Sequence, residues 1–160
     1  MLNPAAITDA LATQLALIPA LAAAMTPAGS VVARIDAFHY RLGAENTLQM
    51  AVYKMPAPSL LVAWEGTLGG NFNGATIWKH RMGVYFRMGN MAGVLGPVGY
   101  EDLWYQTVNG VPTGSSRNIR YLNLMTGLDI MDTPSVSHAV DEDRIDYFRG
   151  EFLYPEIGDN

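Results

Sequence analysis

The alternation that runs from Thr76 to Met88 constrains the fold more than any other feature of this chain. Thr76, Trp78, His80, Met82, Val84, Phe86 and Met88 interleave with Ile77, Lys79, Arg81, Gly83, Tyr85 and Arg87. A period of two is that of a strand whose faces meet different surroundings. It also decides the fate of a motif just upstream. Gly69 and Gly74 follow an apolar run at the spacing of a phosphate-binding loop, but Ala75 stands where that loop needs a Lys. Such a loop must open a helix, whose N-terminal amides hold the phosphates, and strand alternation after Gly74 excludes that. Ser59 to Glu65 is apolar at nearly every position and reads as a second strand, buried on both faces in mid-sheet. Pro56 and Pro58 set its start, and the Gly- and Asn-rich stretch Gly66 to Gly74 is expected to join the two strands as a long hairpin. On the second strand, Trp78, Met82, Val84 and Phe86 are expected to fill a core, with Lys79, Arg81 and Arg87 as a basic stripe on the opposite face.

The remaining segments supply the layer that covers such a sheet. Asn3 is placed to cap a helix with Pro4 at its first position, and Ile7, Leu11, Leu15 and Ile18 recur along one face. Pro19 kinks or ends that helix, and Ala20 to Met25 adds a short second piece before Thr26, Pro27 and Gly29. Ser30 to Tyr40 reads as a strand, and Asn46 to Met55 as a short helix ahead of Pro56. Gly89 to Gly99 holds four glycines and a proline and reads as a loop. Tyr100 to Asn109 has helical spacing, with Glu101 and Asp102 in the first turn and Gly110 at the end. Beyond the turn-rich Val111 to Arg117, Ile119 to Met131 reads as strand-like pieces split at Gly127, and Asp132 to Asp143 as an irregular polar loop. Asp146 to Tyr154 reads as a last strand, with Phe148, Phe152 and Tyr154 facing away from Arg149 and Glu151. This order predicts an α+β fold in one domain over residues 1–160, with the N-terminal helix in 1–25 and the sheet with its packing helices in 30–160. The sheet is single and mainly antiparallel, with a long β-hairpin and helices packed on one face.

Composition narrows the function classes. Of the 160 residues, 49% are hydrophobic and only 16% charged, against about a quarter charged in ordinary globular proteins. Charge depletion of this kind suits a surface covered by subunit contacts. A formal charge of −5 argues against an autonomous nucleic-acid binder, which normally carries a basic excess. With no cysteine, disulfides, thiol catalysis and cysteine metal sites are excluded, consistent with a reducing cytoplasm. Leu15 to Met25 resembles the apolar core of a signal peptide but lacks the preceding positive charges, and polar residues and Pro19 interrupt it as a membrane span.

No catalytic, cofactor-binding or metal-binding set emerges. Of the three histidines, His80 lies on the apolar side of its strand and reads as a satisfied core or interface histidine. His39 falls in the first strand. His138 precedes Asp141, Glu142 and Asp143, an acidic turn that lacks the ligand alternation and mid-loop glycine of a calcium loop. Ser115 and Ser116 have no nucleophile-elbow spelling, and Gly93, Gly96 and Gly99 miss the dinucleotide-binding pattern. Lys79, Arg81 and Arg87 could line a passage for a polyanion or form a salt-bridged strand face, with Glu151 or the acidic turn as partners.

The segments MPAPSLLVAWEGT, WKHRMGVYFRM, YEDLWYQTVNGVP and MDTPSVSHAVDEDRIDYFRGEFLYPEIGD, in that order, resemble a head-to-tail joining protein of long-tailed bacteriophages, of the neck or tail-terminator type. The resemblance spans Asn46 to Asn160, and the N-terminal ITDALATQLALIPAL is also usual in such proteins. It implies a small subunit that assembles with itself into a ring, commonly a hexamer, at the end of the tail tube. Its implied partners are the tail tube protein and the adaptor or stopper proteins of the neck. DNA would meet it only in passage through the channel, and no membrane is involved. Its place would be the virion neck after assembly in the host cytoplasm. The family brings no catalytic residues. Under this reading the hairpin tip, Gly69, Gly70, Asn71, Phe72, Asn73 and Gly74, is an expected inter-subunit contact, and Lys79, Arg81 and Arg87 a channel or salt-bridge stripe. The alternatives are a small cytoplasmic hydrolase using His80 or His138 with a carboxylate, and a ligand-binding module with an apolar pocket behind the hairpin.

Overall fold

In the computed structural model, which describes residues 1–40, 47–72, 75–88, 101–132, 134–137 and 147–157, the alternating segment is the strand around which the sheet is built. The helices are α1 (Pro4–Ala16), α2 (Pro19–Ala24), α3 (Leu48–Lys54) and α4 (101–109). The strands are β1 (Ile35–Phe38), β2 (Ser59–Phe72), β3 (Ala75–Arg87), β4 (Ser135–Ser137) and β5 (Tyr147–Pro155). They form a five-stranded sheet in the order β1-β2-β3-β5-β4. Every pairing is antiparallel except β1 with β2. The fold is α+β, with a mainly antiparallel sheet and a long hairpin, as the pattern predicts.

The inner face forms because residues of one parity on three adjacent strands register with one another. Phe86 pairs with Phe148 and Met82 with Phe152, while Leu60, Val62 and Val84 lie in the same core. The Phe86 and Phe148 rings stack at 4.3 Å. Ile7, Leu11 and Leu15 of α1 and Leu21 of α2 close this face from above and are fully buried, each contributing about 1.5–3 kcal/mol by leaving water. The helices are placed as their caps dictate. The Asn3 side chain accepts from the Ala5 N–H at 3.0 Å, and Pro19, with no N–H to give, ends α1 and opens α2. From α4, Leu103 and Val108 reach the same core, and Trp104 lies over Gly150 of β5 so closely that a Cβ there would overlap its ring. Glycine in this strand interior makes room for the indole.

The expectation of helices on one face alone is corrected by α3, which covers one end of the other face, where Val52 and Met55 meet Ala63 and Tyr85. Its start is capped by Thr47, whose hydroxyl accepts from the Met50 N–H at 3.3 Å. This buries the first half of β2 from both sides, as its unbroken apolar run requires.

Several boundaries differ from expectation. Only Ile35–Phe38 of Ser30 to Tyr40 is strand; Val31 is 98% exposed, because β2 offers a partner from Leu60 to Ala63 alone. Most of the expected connection Gly66 to Gly74 is strand: β2 continues through Phe72, and the ladder runs on to Phe72↔Ala75. Ile119 to Met131 forms a 3-10 turn at Ile119–Tyr121 and one bridge, Leu128↔Glu156. Gly127, at φ +87°, breaks the extended path there. The short β4 lies within the expected loop Asp132 to Asp143, held by pairing with β5. The glycine-rich stretch Gly89 to Gly99 lies outside the described residues. Among the described residues no helix is long and apolar enough to cross a membrane.

Candidate functional site

The hairpin divides into a root inside the sheet and an arm beyond it. On one side β1 pairs with β2 only as far as Phe38↔Ala63. On the other, β5 begins its pairing with β3 at Lys79↔Pro155, and one more backbone bond, from the Glu156 N–H to the Trp78 carbonyl at 2.8 Å, extends the cover. The division falls at a bulge between Trp64 and Thr67, where Gly66 takes φ +123°, a conformation that favours glycine. Past this point, among the described residues, no further strand joins the ladder Gly70↔Ile77, Asn71↔Thr76 and Phe72↔Ala75.

Gly69, Gly70, Asn71 and Phe72 therefore belong to a strand instead of a tip, and Asn73 and Gly74 lie outside the described residues. Composition misled here because a strand tolerates glycine where another side chain occupies the space: the Trp78 ring lies 2.9 Å from where a Cβ on Gly69 would sit. Trp78 consequently fills no core. It is 38% exposed and Leu68 is 49% exposed, and neither belongs to the packed core of the described residues.

A partly buried polar chain fastens the arm at its root. Thr67 Oγ1 lies 3.1 Å from His80 Nδ1, His80 Nε2 lies 2.7 Å from Glu156 Oε1, and the same carboxylate oxygen accepts from the Leu2 N–H at 2.6 Å. Burial alone would raise the Glu156 carboxyl, but the Leu2 N–H and His80 together hold it below its ordinary value. His80 is 0% exposed and both ring nitrogens have partners, so it is the satisfied core histidine its position predicts. The chain ties β2, β3, the end of β5 and the start of α1 at one point.

The basic stripe is paired within the chain. Lys79 meets Asp132 at 2.9 Å, Arg81 bonds Glu151 through Nη2 at 3.1 Å and Nε at 3.3 Å, and the Arg87 guanidinium donates to the Met55 carbonyl. Of the partners expected, Glu151 is the one found among the described residues, diagonally across the β3–β5 ladder from Arg81, which itself registers with Leu153.

Sequence reasoning missed the group at the centre of this face. Glu65 lies over Gly83, whose missing Cβ would sit 2.6 Å from the carboxyl carbon. Tyr85 Oη and Arg149 both donate to Glu65, and Arg149 also reaches Glu151 at 3.0 Å, so one guanidinium serves two carboxylates. Burial, then the neighbouring Glu151, pushes Glu65 up to about 7 against the pull of Arg81. Glu151 is held low, chiefly by its bond to Arg81. Parity placed these side chains on one face, but only the register sets Glu65, Tyr85 and Arg149 together.

The other candidates stay apart. His39 pairs with Asp9 at 2.8 Å on the open surface, and Ser115 closes a turn by accepting from the Arg117 N–H at 3.1 Å. His138, Asp141, Glu142, Asp143, Gly93, Gly96 and Gly99 lie outside the described residues. Phe38, Tyr40 and Trp64 line an open groove beside the first turn of α1, and among the described residues no three His, Asp or Glu are grouped to hold a metal ion. Comparison with known protein families finds no match for the chain, and comparison with curated proteins finds none either.

Proposed function

We propose that this chain is a structural subunit of a phage neck. It would be a ring-forming tail terminator or head–tail connector that caps the tail tube, joins it to the DNA-filled head and leaves a channel for DNA. The arm carries the reading: an ordered two-stranded extension with no charged residue from Leu68 to Trp78, exposed beyond a well-packed domain. A two-stranded hairpin is marginal by itself in water, so an extension of this composition has its use in contact with another chain. The chain-wide charge share of 16% points the same way.

Internal pairing also fits a mechanical role. Arg81, Arg149, Glu65 and Glu151 hold three strands to one another on the face that α3 leaves open, and His80 fastens the arm. With its stripe neutralised within the chain, the protein would let DNA pass without gripping it. Native mass measurement on the purified protein, with electron microscopy of particles made without it, tests the proposal. Rings and unjoined heads and tails are expected; a strict monomer at high concentration together with normally joined particles would contradict it.

A further inference from the structure

The arm has two bare edges, and they are of opposite kind. Among the described residues no strand pairs with β2 on its β1 side beyond Ala63, and none pairs with β3 on its β5 side before Trp78. Natural sheets guard such edges with lysine, proline or an inward-pointing charge. From Leu68 to Trp78 this chain has none of these. The bulge at Gly66 falls at the root and leaves the ladder beyond it regular. An unguarded edge beside an unsupported ribbon is a place where another strand adds.

We propose that the two edges serve each other: the β2 edge of one copy receives the β3 edge of the next, antiparallel, so that the arms close into a belt of two strands per copy. The inference rests on the ring reading, and its geometry follows from rotation alone. Copies related by an axis that runs along the arms keep all β2 strands pointing one way and all β3 strands the other. Each β3 therefore meets the neighbouring β2 in the antiparallel sense, as within the hairpin itself. The contact is heterologous, so it repeats until the rotation closes. Pairing of β2 with a second β2 would satisfy one edge, leave the β3 edge bare and stop at a dimer. Gly70, where an added Cβ would meet nothing within 4 Å, leaves a shallow groove between Leu68, Ile77 and Lys79, which gives room for an apolar side chain of the adjoining arm.

The absence of cysteine makes the test direct. Gly70→Cys marks the β2 edge at a position where an added Cβ meets nothing within 4 Å; Ile77→Cys marks the β3 edge. Each variant is prepared alone, checked for wild-type thermal unfolding, and treated with a short bis-maleimide, alone and after mixing with the other. Cross-linking in the mixture, with little in either variant alone, is the expected result, and Leu68→Cys with Ile77→Cys should repeat it. Efficient cross-linking of Gly70→Cys to itself would show a two-fold contact and overturn the proposal. Rings by native mass without mixed cross-links from either pair would also overturn it while leaving the ring reading standing. Monomers throughout would remove both.

Discussion

The root and the arm of the hairpin are the same two strands with the same alternation, and they have opposite environments. At the root, Met82, Val84 and Phe86 are fully buried because β1 and β5 flank the pair and α1, α2 and α4 close it from above. In the arm, Leu68 and Trp78 keep much of their surface in water, since among the described residues the pairing of β1 with β2 and of β5 with β3 has ended there. Backbone pairing alone therefore does not make a core. The root is held by layers, and the arm must find its layer in another chain.

The widest separation between the two regions should come from a core truncation. Phe152→Ala removes a fully buried ring that packs against Trp104 at 5.5 Å, and a loss of about 3–5 kcal/mol is expected in urea unfolding. A cost close to zero would mean that the root is as loosely held as the arm.

Next in size is the pH response at Glu65, inside the bulge between Trp64 and Thr67 where root meets arm. Glu65 rises from 4.5 to about 7 on folding, so the folded chain binds this proton more tightly than the unfolded one. Its stabilising effect is full below the unfolded value and drains as pH rises through that window. Across it, wild type should lose roughly 3 kcal/mol relative to Glu65→Gln. A pH-independent difference between the two unfolding curves would show that Arg149 keeps the carboxylate ionised throughout.

A smaller effect of the opposite sign is expected at Tyr154. Its ring is fully buried and its hydroxyl has no hydrogen-bond partner among the described residues. Tyr154→Phe should raise stability by about 1 kcal/mol, and a loss on thermal unfolding would reveal a partner for that oxygen. The smallest change in monomer stability belongs to the arm. Leu68→Lys should fall within about 0.5 kcal/mol of wild type yet abolish rings in sedimentation, because it places a charge on the edge that copies share.

The regular elements were legible where a local cause sets them. Asn3 with Pro4 marks α1, the Thr76 to Met88 alternation marks β3, and Phe148, Phe152 and Tyr154 mark the inner face of β5. What sequence did not disclose depends on neighbours. Trp78 has the parity of Met82 but lies beyond the covering helices. Gly69 and Gly70 look like a turn, and become strand because β3 supplies a partner for each. Glu65, Tyr85 and Arg149 are far apart in the chain, and their cluster exists only through the β2–β3–β5 register. Lys79, Arg81 and Arg87 were readable as a stripe, but Asp132, the partner of Lys79, comes from a segment with no strand pattern.

Amide hydrogen exchange followed across a concentration series tests the central claim most directly, because it reads root and arm in one protein. Amides of residues 82–86 should be protected equally at every concentration. Those of 68–72 and 75–77 should exchange fast when dilute and slow down as the protein is concentrated into rings. Arm amides that exchange fast at concentrations where rings are present, or that are fully protected in the dilute monomer, would contradict the account.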